Sequence, residues 1–350
     1  MNYLNSKIIT LIFLAVILII LSTAVSAEEL NDLAGRKLKL PEKIERIVAV
    51  GPGALRLVVY LEAENRVVGI EEFEKRNQKR PYILGSPELL ELPVIGPQFG
   101  GDAELIAAQN PDIIISSYLS SAQIKNLQSK TKTPVVSLTD SGAGSMTEEN
   151  FKKAINFLGG VLNKNNRARE LINYFDKQKG ELKDRIKNKN KKRVYIGGIG
   201  NKGAKGITST EAGYPPFRYL GLNNIIESEN KRNFSINKEK LLLADPELIF
   251  IDQGGLKLVE SDLKRKEFNY LKAYQRENIY ELLPYNHYST NFATMLADAY
   301  YIGKITYSEE LSDLKVAAKA DQIYKKFVGK SVYKKMADIF GGFKKMKLNN

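Results

Sequence analysis

Short apolar runs alternate with amphipathic stretches along this chain. Residues 45–50 (ERIVAV) end at Gly51-Pro52-Gly53, and Leu55, Val58, Val59 and Leu61 follow at helical spacing. Residues 66–70, 111–115 and 133–138 are further strand candidates, with helical segments between several of them. Strands that alternate with helices predict a parallel sheet in an α/β unit.

The pattern changes after this first unit. Residues 147–163 read as a helix, and Ser145 and Glu148 just before it have capping-box spacing. Residues 165–188 carry Ala168, Leu171, Ile172, Phe175, Leu182 and Ile186 as a broken apolar stripe. A helix of that length is about 35 Å long, enough to cross from one lobe to another. A second α/β unit begins at residues 193–196 and continues with strand candidates at 245–251 and 277–282. The stretch 292–340 is mostly helical in pattern. The two units also resemble each other: Glu104 precedes Pro111 by seven residues and Glu239 precedes Pro246 by the same seven, each ahead of an apolar strand. The expected fold class is therefore α/β, with two Rossmann-like lobes joined by a single long helix. The expected division is a leader at 1–27, an N-terminal lobe at 28–146, a helical region at 147–191 and a C-terminal lobe at 192–350.

Composition adds location and excludes some chemistry. Lys7, the apolar run 8–21 and the small residues 24–27 before Glu28 read as a secretory signal cut after Ala27, with an uncleaved anchor as the alternative. Either way the rest of the chain is expected outside the cytoplasm. The chain of 350 residues carries a formal charge of +13, and loss of Lys7 with the leader leaves 52 basic against 40 acidic residues. That excess suits an anionic ligand, but the lysines are scattered and no base-reading helix or zinc-finger spacing accompanies them. Nucleic acid is not an expected partner. There is no cysteine, which removes disulfides, thiol catalysis, thiolate metal sites and a lipid anchor on cysteine.

Ligands of parallel sheets bind at the carboxyl ends of the strands. The loops expected there are 51–54, 116–120, the stretch after Ile196, 252–255 and 284–291. Enzyme signatures fail in them. Arg56 stands where a dinucleotide fingerprint needs its third glycine, no Gly-Lys-Ser/Thr follows Gly197, and no G-x-S-x-G occurs. His287 is the only histidine, too few for a bare zinc or manganese site. An exported α/β enzyme using His287 and a nearby hydroxyl remains the rival reading. A preformed anionic ligand or metal chelate fits better: tyrosines stack on flat ligands, a phenolate can bind ferric iron, and Lys202, Lys205 and Arg218 could neutralise carboxylates, catecholates or an oxyanion. The candidate ligand-binding residues are Gly51, Pro52, Tyr118, Lys202, Lys205, Ser209, Thr210, Tyr214, Arg218, Tyr285, His287 and Tyr288, with His287 and Tyr288 also candidate metal donors.

Residues 46–56 (RIVAVGPGALR), Glu104 with the following NPDIII, residues 205–217 (KGITSTEAGYPPF) and residues 285–291 (YNHYSTN) together resemble the iron-chelate/cobalamin class of substrate-binding proteins of ABC importers, closest to its enterochelin-uptake-type branch. The resemblance covers nearly all of residues 29–345. It implies a ligand between two lobes, no intrinsic cofactor, a monomer, and docking on a permease dimer with its ATPase through one acidic residue per lobe, which map onto Glu104 and Glu239. The ligands it implies are ferric siderophores first, with nickel, cobalt, haem or cobalamin chelates and molybdate-type oxyanions as alternatives. The chain departs from the class in offering no assignable set of three cleft arginines and no tryptophan.

Overall fold

The computed structural model describes residues 29–139, 146–187, 189–200, 203–229 and 232–348. The expected leader and Lys202 lie outside them. Among the described residues no helix is long and apolar enough to cross a membrane.

A hairpin of β1 (Glu29–Asn31) and β2 (Lys37–Lys39) precedes the first sheet. That sheet contains β3 (Ile47–Val50), β4 (Val67–Gly69), β5 (Ile113–Ser116) and β6 (Val135–Ser137), all parallel, in the order β4-β3-β5-β6. Every residue of β3, β5 and β6 is buried, as continuous Val/Ile runs covered on both faces require. The second sheet pairs β7 (Val194–Gly197), β10 (Leu248–Asp252) and β11 (Ile279–Leu282) in parallel and adds β12 (Lys344–Lys345) antiparallel at its edge. Between β7 and β10 the chain forms a ribbon of β8 (Ser209–Glu211) and β9 (Asn233–Ser235).

The lobes are joined by the helix Asn165–Arg185, which buries Ala168, Leu171, Phe175, Gln178 and Leu182 on one face. Its apolar stripe is the one visible in the sequence. The unexpected member, Gln178, accepts the hydroxyl of Tyr300 through Oε1 at 2.9 Å. Arg167 near its start donates to the carbonyls of Tyr60 and Lys326, and Arg185 at its end donates to that of Glu310. The connector is therefore bonded to its surroundings at both ends. The preceding helix, Glu148–Val161, is capped by Thr147, whose hydroxyl accepts from Asn150 N at 3.2 Å. Glu148 faces Lys152 and Lys179 instead of closing a capping box, and Ser145 lies outside the described residues. The helices Phe292–Thr306, Val316–Val328 and Tyr333–Phe340 complete the fold.

Candidate functional site

The site begins at the turn after β3. Gly51 and Gly53 have φ of +87° and +88°, and a Cβ on Gly51 would lie 2.9 Å from that of Tyr118. Only glycine accommodates both demands there. The turn starts the helix Ala54–Tyr60, which carries Arg56 inward until 2 % of it is exposed. Its guanidinium donates to the carbonyls of Thr290 and Tyr288 at 2.6 Å each, and to those of His287 and Ser289 at 3.3 Å. Tyr288 and Ser289 hold left-handed φ of +54° and +69°. Asn291 Nδ2 closes the same loop by donating to the carbonyls of Tyr285 and His287. One buried guanidinium of the first lobe thus fixes the backbone of the loop that follows β11 of the second.

A carboxylate adds a second clamp. Glu71 Oε1 accepts from Gly51 N (3.1 Å) and Gly100 N (3.0 Å), while Oε2 accepts the Tyr288 hydroxyl at 2.6 Å. Burial pushes its carboxyl up to about 7, against the pull of these three hydrogen bonds. Next to it, Glu74 and Arg80 form a buried ion pair at 2.5 Å, and the Tyr82 hydroxyl donates to Glu74. The Arg80 guanidinium lies over the rings of Phe73, Tyr82 and Tyr288. Because the folded chain raises the Glu71 carboxyl above its unfolded range, its contribution to stability is full below about pH 4.5 and is lost as pH rises through about 7. Glu71→Gln keeps one oxygen for the Gly51 and Gly100 amides, replaces the other by an NH2 that can donate to the Tyr288 oxygen, and removes the ionisation. We expect it to flatten the pH dependence of urea unfolding and to stabilise the protein by about 1–3 kcal/mol at pH 8. An unchanged pH profile would count against this assignment.

Between the lobes lies a cavity of about 530 Å³. Asn77 and Lys79 line it from the first lobe. Gly200, Asn233, Asp252, Gly254, Asn286, His287 and Tyr288 line it from the second, with Phe340 at its margin. Burial first, then Arg80, Arg56 and Lys79, lowers the His287 imidazole to about 4. It is therefore a neutral ring at neutral pH, with a nitrogen lone pair available. Burial and the neighbouring Glu71 keep the Tyr288 phenol protonated. Burial pushes the Asp252 carboxyl up to about 7, although Gly254 N donates to its Oδ1 at 2.7 Å. Among the described residues no three His, Cys, Asp or Glu side chains gather as a metal site.

The structure distributes the other candidates differently from the sequence reading. Ser209 and Thr210 are buried and donate to the carbonyls of Ile199 and Ile196, because β8 folds back on β7 and turns them inward. Tyr214 packs edge-on against Phe217 and Tyr285 in the core. Tyr285 donates to Glu211 at 2.6 Å, and Glu211 pairs with Arg232. Gly51 and Pro52 are buried beneath Tyr118 and Ser117, and the Tyr118 ring packs tilted against that of Phe99. Lys205 is exposed and does not line the cavity. Arg218 belongs to a separate cavity of about 190 Å³ with Arg232 and Glu148. Arg56, Glu71, Arg80 and Lys79 were absent from the candidates. Only Arg56 left a trace, as the residue that spoils the glycine fingerprint.

A family profile described as "Periplasmic binding protein" matches residues 47–285. The curated molybdate-binding protein MolA of Haemophilus influenzae is 22% identical over 331 residues, covering 87% of this chain and 92% of its own. The structure of MolA bound to molybdate superposes with a TM-score of 0.70 at 20% identity, over 87% of this chain and 98% of MolA. Helicobacter pylori CeuE with Ni(II) bound gives 0.63 at 16% identity, over 86% and 95%. The TroA-like periplasmic binding protein FepB of Veillonella parvula gives 0.62 at 21%, over 87% and 97%. At these identities the superpositions establish a shared fold.

Proposed function

The chain belongs to the periplasmic binding protein family, and we propose that it captures an anionic metal chelate of the ferric-siderophore kind between its lobes and delivers it to an ABC permease outside the cytoplasm. The observation that carries this reading is the cavity itself. Its volume of about 530 Å³ falls in the range of small-molecule sites, and a bare tetrahedral oxyanion would fill a small part of it. Lys79 supplies positive charge, and the neutral imidazole of His287 can complete the coordination of a metal whose other donors arrive with the ligand. Tyr288 fits this role less well, because its hydroxyl is committed to Glu71. Its ring packs 4.3 Å from that of Phe73 and forms part of the wall. The protein binds and releases, and performs no covalent chemistry.

Delivery is assigned to Glu104 and Glu239. Both are exposed in the first turns of matched short helices, Ala103–Ala108 and Lys238–Ala244, capped by Asp102 and Asn237. Leu105 and Leu243 are exposed beside them, Leu243 by 89 %. These pairs suit engagement of one permease subunit per lobe.

Native mass spectrometry of protein taken from its host's envelope tests the ligand. A bound mass with the isotope pattern of iron supports the reading and identifies the chelator. A molybdenum pattern, as the MolA relative would suggest, replaces the ligand and keeps the transport role. His287→Ala is expected to weaken chelate affinity by about tenfold or more, which is at least about 1.4 kcal/mol, with an unchanged circular dichroism spectrum. Undiminished affinity would remove His287 from the site. A covalently modified residue would sink the binding-protein reading in favour of an enzyme.

A further inference from the structure

Asp252 is an odd residue to find in a cavity for an anion. It ends β10 with 5 % of its surface exposed and faces the cavity. Gly254 N occupies Oδ1; among the described residues no donor reaches Oδ2 and no cation pairs with the carboxyl. Its surroundings are acidic or neutral. Glu211 on β8 bears on it and is itself neutralised by Arg232 and Tyr285. Asp298, on the helix Phe292–Thr306, is wholly buried and, among the described residues, no side chain donates to it; burial and then Asp252 raise its carboxyl, against a weaker pull from the Leu283 backbone. The Tyr214 hydroxyl has no hydrogen-bond partner among the described residues, and after burial both acids help to keep it protonated. Glu281 on the neighbouring strand is engaged by Gln253 and Lys344. Lys79 of the first lobe and the neutral His287 line the same cavity.

An ionised Asp252 would repel an incoming anion across a poorly hydrated space, and a buried carboxylate without a partner is costly. The acid form has neither problem and turns the free oxygen into a donor. We propose that Asp252 selects the ligand: it binds as the carboxylic acid and donates its proton to an acceptor oxygen of the anion, so that filling the cavity takes up a proton from solvent. The ligands favoured are anions that present a carboxylate, catecholate or metal-oxo oxygen towards the floor of the second lobe. The proposal rests on the reading of the ligand as an anion. It is consistent with a carboxyl that titrates about neutrality before the ligand arrives and is driven higher once it binds.

Isothermal titration of molybdate, and separately of a ferric tris-catecholate, into the full chain tests it. The titrations run between about pH 6 and pH 9 in buffers of unlike ionisation enthalpy. For the wild type we expect proton uptake of about half a proton per anion at neutral pH, rising towards one by about pH 9, and an affinity that falls about tenfold per pH unit well above 7. Asp252→Asn should bind without that uptake and with a flat profile, so that it overtakes the wild type at the alkaline end. Glu71→Gln, which removes a second carboxyl that burial raises to about 7, should keep the slope. Binding by the wild type without proton uptake overturns the proposal and leaves the cavity reading intact, and this arm needs no variant to fold. A slope that survives in Asp252→Asn overturns it as well. Silence from both anions at every pH overturns the anion reading and the proposal with it.

Discussion

Arg80→Ala is expected to cost about 3–5 kcal/mol of stability, the range for removing one partner of a buried ion pair. Arg80 is fully buried, 2.5 Å from Glu74, and sandwiched among Phe73, Tyr82 and Tyr288. Truncation leaves the Glu74 carboxylate in the interior with only the Tyr82 hydroxyl as donor, and it opens a void where the guanidinium lay. The urea midpoint at neutral pH measures the loss. Two controls separate charge from volume. Acidification should recover part of the deficit, because an isolated buried Glu74 escapes its penalty by taking a proton. The double variant Glu74→Gln with Arg80→Met should recover more, because it removes both charges and refills the space. A single variant that loses less than about 1 kcal/mol would mean that water already reaches the pair.

Arg56→Ala should act on binding more than on folding. Four carbonyls of the 287–290 segment converge on this guanidinium. Charge-assisted hydrogen bonds of this kind contribute about 1.5–3 kcal/mol each when made, with strong non-additivity. Without them, the left-handed backbone at Tyr288 and Ser289 loses the contacts that hold it against its strain. We expect ligand affinity to fall by about a hundredfold or more, equivalent to about 2.7 kcal/mol, with the circular dichroism spectrum retained. Amide exchange should accelerate across 287–291 while the sheets stay protected. Arg56→Lys should recover only part of the affinity, since one ammonium cannot reach four carbonyls in the guanidinium's planar geometry. If Arg56→Ala binds normally, the loop is held by Asn291 and Glu71 alone.

The strands at 47–50, 113–116, 194–197 and 248–252 were legible because buried parallel strands are continuous apolar runs, and these runs end at glycine or polar turns. The connector was legible because one helical face must bury a stripe at a period of 3.6 residues. The ribbon β8/β9 was missed: three-residue strands in a glycine-rich stretch carry too little pattern to stand out. Missing it turned Ser209 and Thr210 towards the ligand in the sequence reading, whereas their hydroxyls satisfy backbone carbonyls inside the second lobe. His287 and Tyr288 share the cavity wall because their loop follows a sheet strand, and the sequence shows that much.

What the sequence determined by itself is the class of protein and its layout: two α/β units, one long connector, and a pair of matched short helices with a glutamate near the start of each. These are local or periodic properties, written within windows of a dozen residues or so. Which side chains line the cavity was decided only in three dimensions. Arg56 reads locally as an ordinary helical arginine, and its partners lie more than two hundred positions away. Glu71 reads as one more surface acid until Gly51, Gly100 and Tyr288 close over it. The charge of Asp252 depends on burial first, and then on the Gly254 amide and on Glu211 from a separate strand. Desolvation and long-range hydrogen bonding come from the packing of the whole chain, and no local pattern of residues encodes them.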